Sequence, residues 1–302
     1  MRIFLTGASG FIGSAVAAAL ARHGHRIAGL TRSEKSARDI ARNEVEPVIG
    51  SMQELSSWRD AARDCEVLIH CAAEYSADYA KLDTNTVNAL LAIAAEAGRP
   101  RLFVYTSGVW IYGDTGSAMA DEASPITPLA LTAARAENEK RILDADRKFI
   151  RTLIIRPGTV YGGRGGLTSP WFESAAKDGA ARMVGSGTFR WSMVHHADLG
   201  DLYRRAVESP LRGEILNGTD RSRFTVRECA EAASRAAGAG GKVVSQPVEE
   251  AAKQLGPMAE ALTFNQHIDS AKAVRLLGWQ PRHAGFVDGV DRYYISWKAS
   301  QH

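Results

Sequence analysis

"LTGASGFIGSAV", residues 5–16, decides the fold. It follows the short apolar run "RIFL" (2–5). It leads into "FIGSAVAAALARHG" (11–24), whose apolar residues recur at helical spacing up to a glycine stop at Gly24. Three glycines stand at the join. Gly7 permits a tight turn, Gly10 lets backbone N–H groups approach a pyrophosphate, and Gly13 lets the helix pack close to the strand. Ser9, Phe11 and Ile12 complete the expected cradle, and the helix N-terminus turns its partial positive charge toward the anion. A glycine triad alone is a weak signal; a strand before it and a helix after it supply the confirming context. The reading is a dinucleotide-binding turn, and its alternative is the same turn without a ligand.

Outward from this stretch the chain alternates. "HRIAGL" (25–30), "VEPVIG" (45–50), "CEVLIH" (65–70), "RLFVYTS" (101–107) and "IRTLIIRP" (150–157) read as further strands. Helical patterns lie between most of them, at 54–63, 79–97 and 128–146. Such βα units predict an α/β fold: a Rossmann-type, doubly wound parallel sheet. After residue 160 the pattern changes. The glycine-rich "YGGRGGL" (161–167) precedes mixed helices and short strands at 170–178, 189–195, 197–208, 213–217, 225–237, 247–255 and 269–277. The expected organisation is a dinucleotide-binding domain over 1–163 and, over 164–302, a smaller α+β substrate lobe with some segments returning to the first domain.

Composition fits one such unit. The 302 residues are 45% hydrophobic and 24% charged, ordinary for a globular chain of this length. The net charge of +3 comes without a Lys/Arg block, which argues against nucleic acid as a partner. Cys65, Cys71 and Cys229 form no metal pattern and read as reduced thiols. The apolar run "AVAAALA" (15–21) is too short to span a bilayer, so no membrane role is expected. Turn residues interrupt the N-terminal apolar stretch, so it reads as the first strand of the mature fold and places the protein in the cytoplasm.

The second strand ends "GLTRSEKS" (29–36). An acid there would hold the ribose hydroxyls of NAD; the residue is Thr31. Arg32 follows and can fork onto a 2′-phosphate, with Ser33 and Lys35 beside it. The expected cofactor is NADP, with NAD possible; the alternative is a solvated basic turn. "GSMQ" (50–53) should lie along the adenine, and the small residues of "CAAE" (71–74), Ala72 among them, should let the cofactor pass.

"TGASGFIG" (6–13), "LIHCAA" (68–73), "VYTSGVWIYGD" (104–114) and "IIRPGTVYG" (154–162) together resemble the extended short-chain dehydrogenase/reductase family. That family includes the NAD-dependent nucleotide-sugar epimerases and dehydratases. "MVHHADLGDLY" (193–203) and "AVRLLGWQP" (273–281) resemble its C-terminal segments, and "DTNTVNALLAIAAEAGRPRLFVYTSG" (83–108) is most similar to the atypical nucleotide-sugar epimerase branch. The resemblance implies a Ser or Thr after the fifth strand, then a Tyr and a Lys four residues apart on the next helix. It also implies a homodimer joined through helices 79–97 and 128–146. By motif, the hydroxyl falls on Gly108, with Ser107 just before it. The Tyr falls on Leu131 and the Lys on Arg135, with Glu139 where the family often has Glu. Leu131 exchanges no proton. Arg135 keeps its charge and can bind a ribose hydroxyl, but cannot shuttle a proton. The literal Tyr294/Lys298 spacing lies outside the sheet and reads as accidental.

A carbonyl reduction still needs a proton source within reach of the oxygen. Ser107 could orient a substrate oxygen or simply cap backbone. Tyr161, after the sixth strand, is the preferred replacement acid, its alternative a packing aromatic. Tyr75 is a further candidate, and Tyr112 reads as structural. His195 and His196 precede Asp198, which reads as a helix N-cap. Trp110, Trp171 and Trp191 read as core or pocket wall. Two functions stand side by side. One is an NADP-dependent oxidoreductase or epimerase-like enzyme on a small carbonyl, hydroxyl or sugar-nucleotide substrate. The other is a non-catalytic NADP-binding sensor or partner-binding protein.

Overall fold

The computed structural model describes residues 1–74, 78–96 and 98–301. In its first half, strands and helices alternate as β1 (Arg2–Thr6), α1 (Phe11–Ala21), β2 (Arg26–Thr31), α2 (Glu34–Ala41), β3 (Val45–Ile49), α3 (Arg59–Arg63), β4 (Val67–His70), α4 (Tyr79–Glu96) and β5 (Arg101–Thr106). The short β6 (Met119–Ala120), α5 (Ala130–Asp144), β7 (Ile150–Pro157) and β8 (Thr159–Tyr161) follow. The second half carries α6 (Ser169–Asp178), β9 (Ala181–Val184), β10 (Met193–His195), α7 (His196–Glu208), β11 (Glu214–Gly218) and α8 (Val226–Ala236). It ends with β12 (Val243–Gln246), α9 (Val248–Leu255), α10 (Met258–Ala261), β13 (His267–Ile268), α11 (Ala271–Leu277) and α12 (Val290–Ala299).

The main sheet is parallel throughout, in the order β3-β2-β1-β4-β5-β7-β11. Strand order reverses between β1 and β4, the switch point where α/β sheets hold ligands at the carboxyl ends of their strands. Side chains alternate between two buried faces. Ile3, Leu5, Val104, Leu153 and Ile155 meet Val16 and Leu20 of α1 and Leu199 and Leu202 of α7. Phe4, Leu68, Phe103, Tyr105 and Ile154 meet Leu90 and Ile93 of α4 and Ile142 of α5. Each such side chain contributes about 1.5–3 kcal/mol through burial, which fixes strand register against a one-residue slip. α7 lies so close to α1 that a Cβ at Gly200 would stand 2.6 Å from Ala15 O.

The lobe built from the second half has its own core of Trp171, Phe172, Trp191, Met193, Phe286, Tyr293 and Trp297. Two two-stranded parallel pairs, β8 with β10 and β9 with β12, frame it, and a third, β6 with β13, packs with Val109, Ile111 and Tyr112. No described helix is long and apolar enough to cross a membrane.

Candidate functional site

One cavity of about 680 Å³ runs along the carboxyl ends of the central strands. Its middle is the glycine turn. Gly7 has φ +73, and a Cβ there would lie 2.8 Å from the Ala72 backbone, so only glycine fits. Gly10 N–H donates to Gly7 O at 2.8 Å, closing the turn. Gly10 is also the N-cap of α1 and offers no side chain, and the first turn holds no acid, so the helix start is open to an anion. Ser9, Gly10, Phe11 and Ile12 line the cavity here with Ala72 opposite; Gly13 stands behind the turn, pressed against Gly7 O, and is not in the wall.

One end of the cavity is lined by Thr31, Arg32, Ser33, Ser36, Gly50 and Met52. Thr31 is buried, and its Oγ1 has no hydrogen-bond partner. Arg32 is mostly exposed and pairs with Glu74 across the cavity at 3.2 Å. Ser33 caps α2, accepting from Ser36 N–H at 3.2 Å, which gives its hydroxyl a structural duty as well.

The other end is lined by Ser107, Gly108, Val109, Trp110, Leu131 and Arg135, with Tyr79 beside them. Ser107 is 2% exposed, and its Oγ is a second buried hydroxyl without a partner. Arg135 Nη1 donates to Ser107 O at 2.8 Å and its Nε to the Tyr79 hydroxyl at 2.6 Å. A Cβ at Gly108 would come 3.3 Å from Arg135 Nη1, so the glycine leaves room for the guanidinium. Leu131 and Arg135 share the cavity face of α5.

Behind this end lies a buried polar layer that spacing did not announce. Asp83 of α4 accepts from Tyr105 Oη (2.7 Å) and Asn138 Nδ2 (2.8 Å), and it meets His70 Nε2 at 3.1 Å. Burial opposes its charge, but the contacts with His70 and Tyr105 and the Arg135 charge hold the carboxyl below its usual range. The layer ties α4 to α5 and both to the sheet.

Tyr161 does not join the site. It is fully buried beneath the cavity wall, donates its hydroxyl to Asp220 at 2.9 Å and packs edge-on against His195, Phe286 and Tyr293. Burial and the Asp220 charge raise its pKa far above the ordinary phenol value. This corrects the expectation of a replacement acid here: after Gly158 the chain leaves the main sheet to pair with β10, and Tyr161 turns into the second lobe. Tyr75 lies outside the described residues.

Tyr112 is structural as read, bonded to Arg156 and Asn217. Trp110 lines the cavity, whereas Trp171 and Trp191 stack in the second core. Tyr294 and Lys298 lie on α12, away from the cavity. The cap of α7 is His195, whose Nδ1 accepts from Ala197 N–H at 3.2 Å. Asp198, read as the cap, instead receives the N–H and Nδ1 of His283, both at 3.0 Å. His195, Asp198 and His283 bring ligand-type atoms within 4.8 Å of one another, with His195 Nδ1, Asp198 Oδ2 and His283 Nδ1 held in these hydrogen bonds. Burial with the neighbouring His196 and His283 pushes the His195 pKa down to about 2, so this ring stays neutral.

Asp220 gives the folded chain a pH signature. Burial raises its carboxyl from 3.8 to about 6 despite the bonds from Ser222 and Tyr161. The folded state therefore holds this proton more tightly than the unfolded one. Its stabilisation is present below the unfolded value and is lost as pH rises through about 6. Urea midpoints of wild type and Asp220→Asn, compared at pH about 4.5 and about 7, should show a wild-type advantage at the lower pH that shrinks or reverses at the higher. A constant difference between the two proteins at both pH values would refute this assignment.

Fold and cradle define a doubly wound α/β protein of the dinucleotide-binding type. The chain belongs to the NAD dependent epimerase/dehydratase family, whose model matches residues 3–217. It is similar to an uncharacterized protein of Schizosaccharomyces pombe, at 28% identity covering 97% of this chain and all of the relative. It is 27% identical, over 73% of its length and 68% of the relative's, to 4-hydroxy-2-methyl-3-oxo-4-farnesyl-3,4-dihydroquinoline-1-oxide ketoreductase of Stigmatella aurantiaca. Among solved structures, the UDP-glucose 4-epimerase of Thermotoga maritima in complex with UDP-glucose superposes with a TM-score of 0.85 at 19% identity, over the full length of both chains.

Proposed function

We propose that this chain is an NADP-dependent oxidoreductase acting on a small carbonyl or hydroxyl compound. The observation that carries the reading is the pair of buried, unpartnered hydroxyls, Thr31 Oγ1 and Ser107 Oγ, at the two ends of one cavity with the glycine cradle between them. Buried polar atoms are ordinarily satisfied, and a ligand long enough to span the cradle would bring a polar group to each of these two. The residues fit a dinucleotide: the α1 N-terminus and Gly10 would take the pyrophosphate, Thr31 and Arg32 the adenosine ribose and its phosphate, and Arg135 with Ser107 the nicotinamide side. When bound, a reduced nicotinamide supplies a hydride.

Around Ser107 and Arg135 the wall is apolar, with Val109, Trp110 and Leu131. Among the described lining residues the cations are Arg32 and Arg135, and the cofactor would use both. A carbonyl on an apolar body suits this wall better than a sugar nucleotide, whose diphosphate needs cations of its own. The ketoreductase relative is in keeping with that choice. Cytoplasmic location and a homodimer joined through α4 and α5 go with this reading.

The second reading, a non-catalytic NADP-binding sensor or partner-binding protein, draws on Leu131 standing where the family's phenol is expected. NADPH binding measured beside NADPH oxidation on a panel of aldehydes and ketones separates the two. Turnover supports the enzyme; binding without turnover supports the sensor.

Cofactor choice rests on Arg32. Its pair with Glu74 is exposed and worth at most about 1 kcal/mol, so a 2′-phosphate can take the guanidinium over. Arg32→Ala should weaken NADPH by roughly ten- to a hundredfold in calorimetric titration and leave NADH within about threefold. Equal losses for the two cofactors would show that Arg32 does not read the phosphate.

A further inference from the structure

Tyr79 stands at the first position of α4, 9% exposed, and is the one tyrosine among the described residues that lines the cavity. Its oxygen accepts from Arg135 Nε at 2.6 Å, and the same guanidinium reaches Ser107 O. A guanidinium only donates, so the phenol is the acceptor in this pair and its own hydrogen is directed away from Arg135. One turn along α4, Asp83 accepts from Asn138, which lies one turn along α5 from Arg135. The two helices are therefore joined by Tyr79–Arg135 at the cavity and by Asp83–Asn138 and Thr84–Asn138 behind it. Tyr105, Tyr112, Tyr161 and Tyr203 are not in the cavity wall; they are bonded to Asp83, Arg156, Asp220 and Thr106.

We propose that Tyr79 is the proton donor of this site, replacing the phenol absent at Leu131, with Arg135 as its cation. The inference rests on the oxidoreductase reading above. In the reducing direction the substrate's carbonyl carbon gains a hydride, with its electron pair, from a reduced nicotinamide dinucleotide. The π pair of the C=O moves onto oxygen, and that oxygen takes the Tyr79 proton. Alcohol, oxidised dinucleotide and tyrosinate result, and a proton from water restores the phenol. A cation donating to the phenol oxygen favours the tyrosinate, so Arg135 holds the charge left behind without moving a proton itself. The acid has moved from α5 to α4, and the cation has stayed at its position on α5.

Tyr79→Phe keeps the ring and removes the hydroxyl. With NADPH and para-nitrobenzaldehyde as carbonyl probe, kcat should fall by about a hundredfold or more, with KM and the NADPH Kd within about threefold of wild type. Arg135→Leu removes the cation and should lower kcat by about tenfold or more, and Arg135→Lys should restore it in part. The Arg135 variants keep the inference testable if Tyr79→Phe does not fold. Wild-type turnover with kcat of Tyr79→Phe within threefold overturns the role of Tyr79 alone, as does kcat of Arg135→Leu within threefold of wild type. Absence of carbonyl reduction by wild type overturns the oxidoreductase reading, and the role of Tyr79 with it.

Discussion

Gly13→Ala should abolish dinucleotide binding. A methyl group at this position would stand 2.0 Å from Gly7 O and 2.7 Å from Gly7 C, both backbone atoms. Neither side can retreat. Gly7 is backed by the Ala72 backbone, so the turn cannot move toward β4. α1 is backed by α7 through the close approach at Gly200, so the helix cannot lift without parting that contact. The clash must therefore open the Gly7–Gly10 turn that lines the cavity. NADPH affinity should drop by about a hundredfold or more, equivalent to roughly 2.7 kcal/mol or above, and thermal stability should fall with it. Gly10→Ala is the internal comparison: its Cβ would meet Gly7 O at 3.0 Å, a contact a small adjustment relieves, so that variant should stay folded. Calorimetric titration with circular dichroism on both variants gives the measurement. Gly13→Ala binding NADPH within threefold of wild type would mean that the pyrophosphate does not sit on this turn.

Arg156→Met should cost stability on a similar scale, without touching the cavity. Arg156 and Glu139 are each 3% exposed and meet in a two-pronged contact, Nε to Oε1 at 3.0 Å and Nη2 to Oε2 at 2.5 Å. Burial opposes the guanidinium's charge, and Glu139 outweighs it, so the arginine pKa is raised. Arg156 also donates to Tyr112 Oη, which donates to Asn217 of β11. Methionine leaves the Glu139 carboxylate buried without its partner, a loss of about 3–5 kcal/mol. That corresponds to a melting temperature lower by roughly 10 °C. Arg156→Met with Glu139→Leu should recover much of the loss, because the stranded charge goes too. A double variant no better than the single would place the cost in the Tyr112–Asn217 link instead.

The main sheet was legible because its strands are short apolar runs separated by helical spacing, and burial on both faces enforces that pattern from Ile3 to Ile155. α2 and α12 were not. α2 is a polar, solvated helix held by the Ser33 cap, and α12 carries its apolar residues within a mixed aromatic stretch. The cradle could be read residue by residue because its chemistry is local. The far end of the cavity could not. Tyr79 and Arg135 are 56 positions apart and meet only because α4 and α5 pack side by side. Tyr161 misled because its place after a strand pointed to the cavity, while the departure from the sheet at Gly158 depends on pairing with residues more than thirty positions later. The cap of α7 went to His195 rather than Asp198 because His283, distant in sequence, claims the carboxylate.

The position of β11 and α7 bears on how the chain comes off the ribosome. A nascent chain released only to residue 163 holds the whole cradle but lacks the edge strand beside β7 and the helix that seals α1. Val16, Leu20 and Ile155 then face water. At about 5–20 residues per second the missing pieces follow within about 3–11 seconds, and through that interval the half-built sheet is a target for chaperones and for self-association. A gene cut at the same point would yield a first fragment whose sheet lacks its edge strand and the helix over α1, and it recovers the fold only by finding the second.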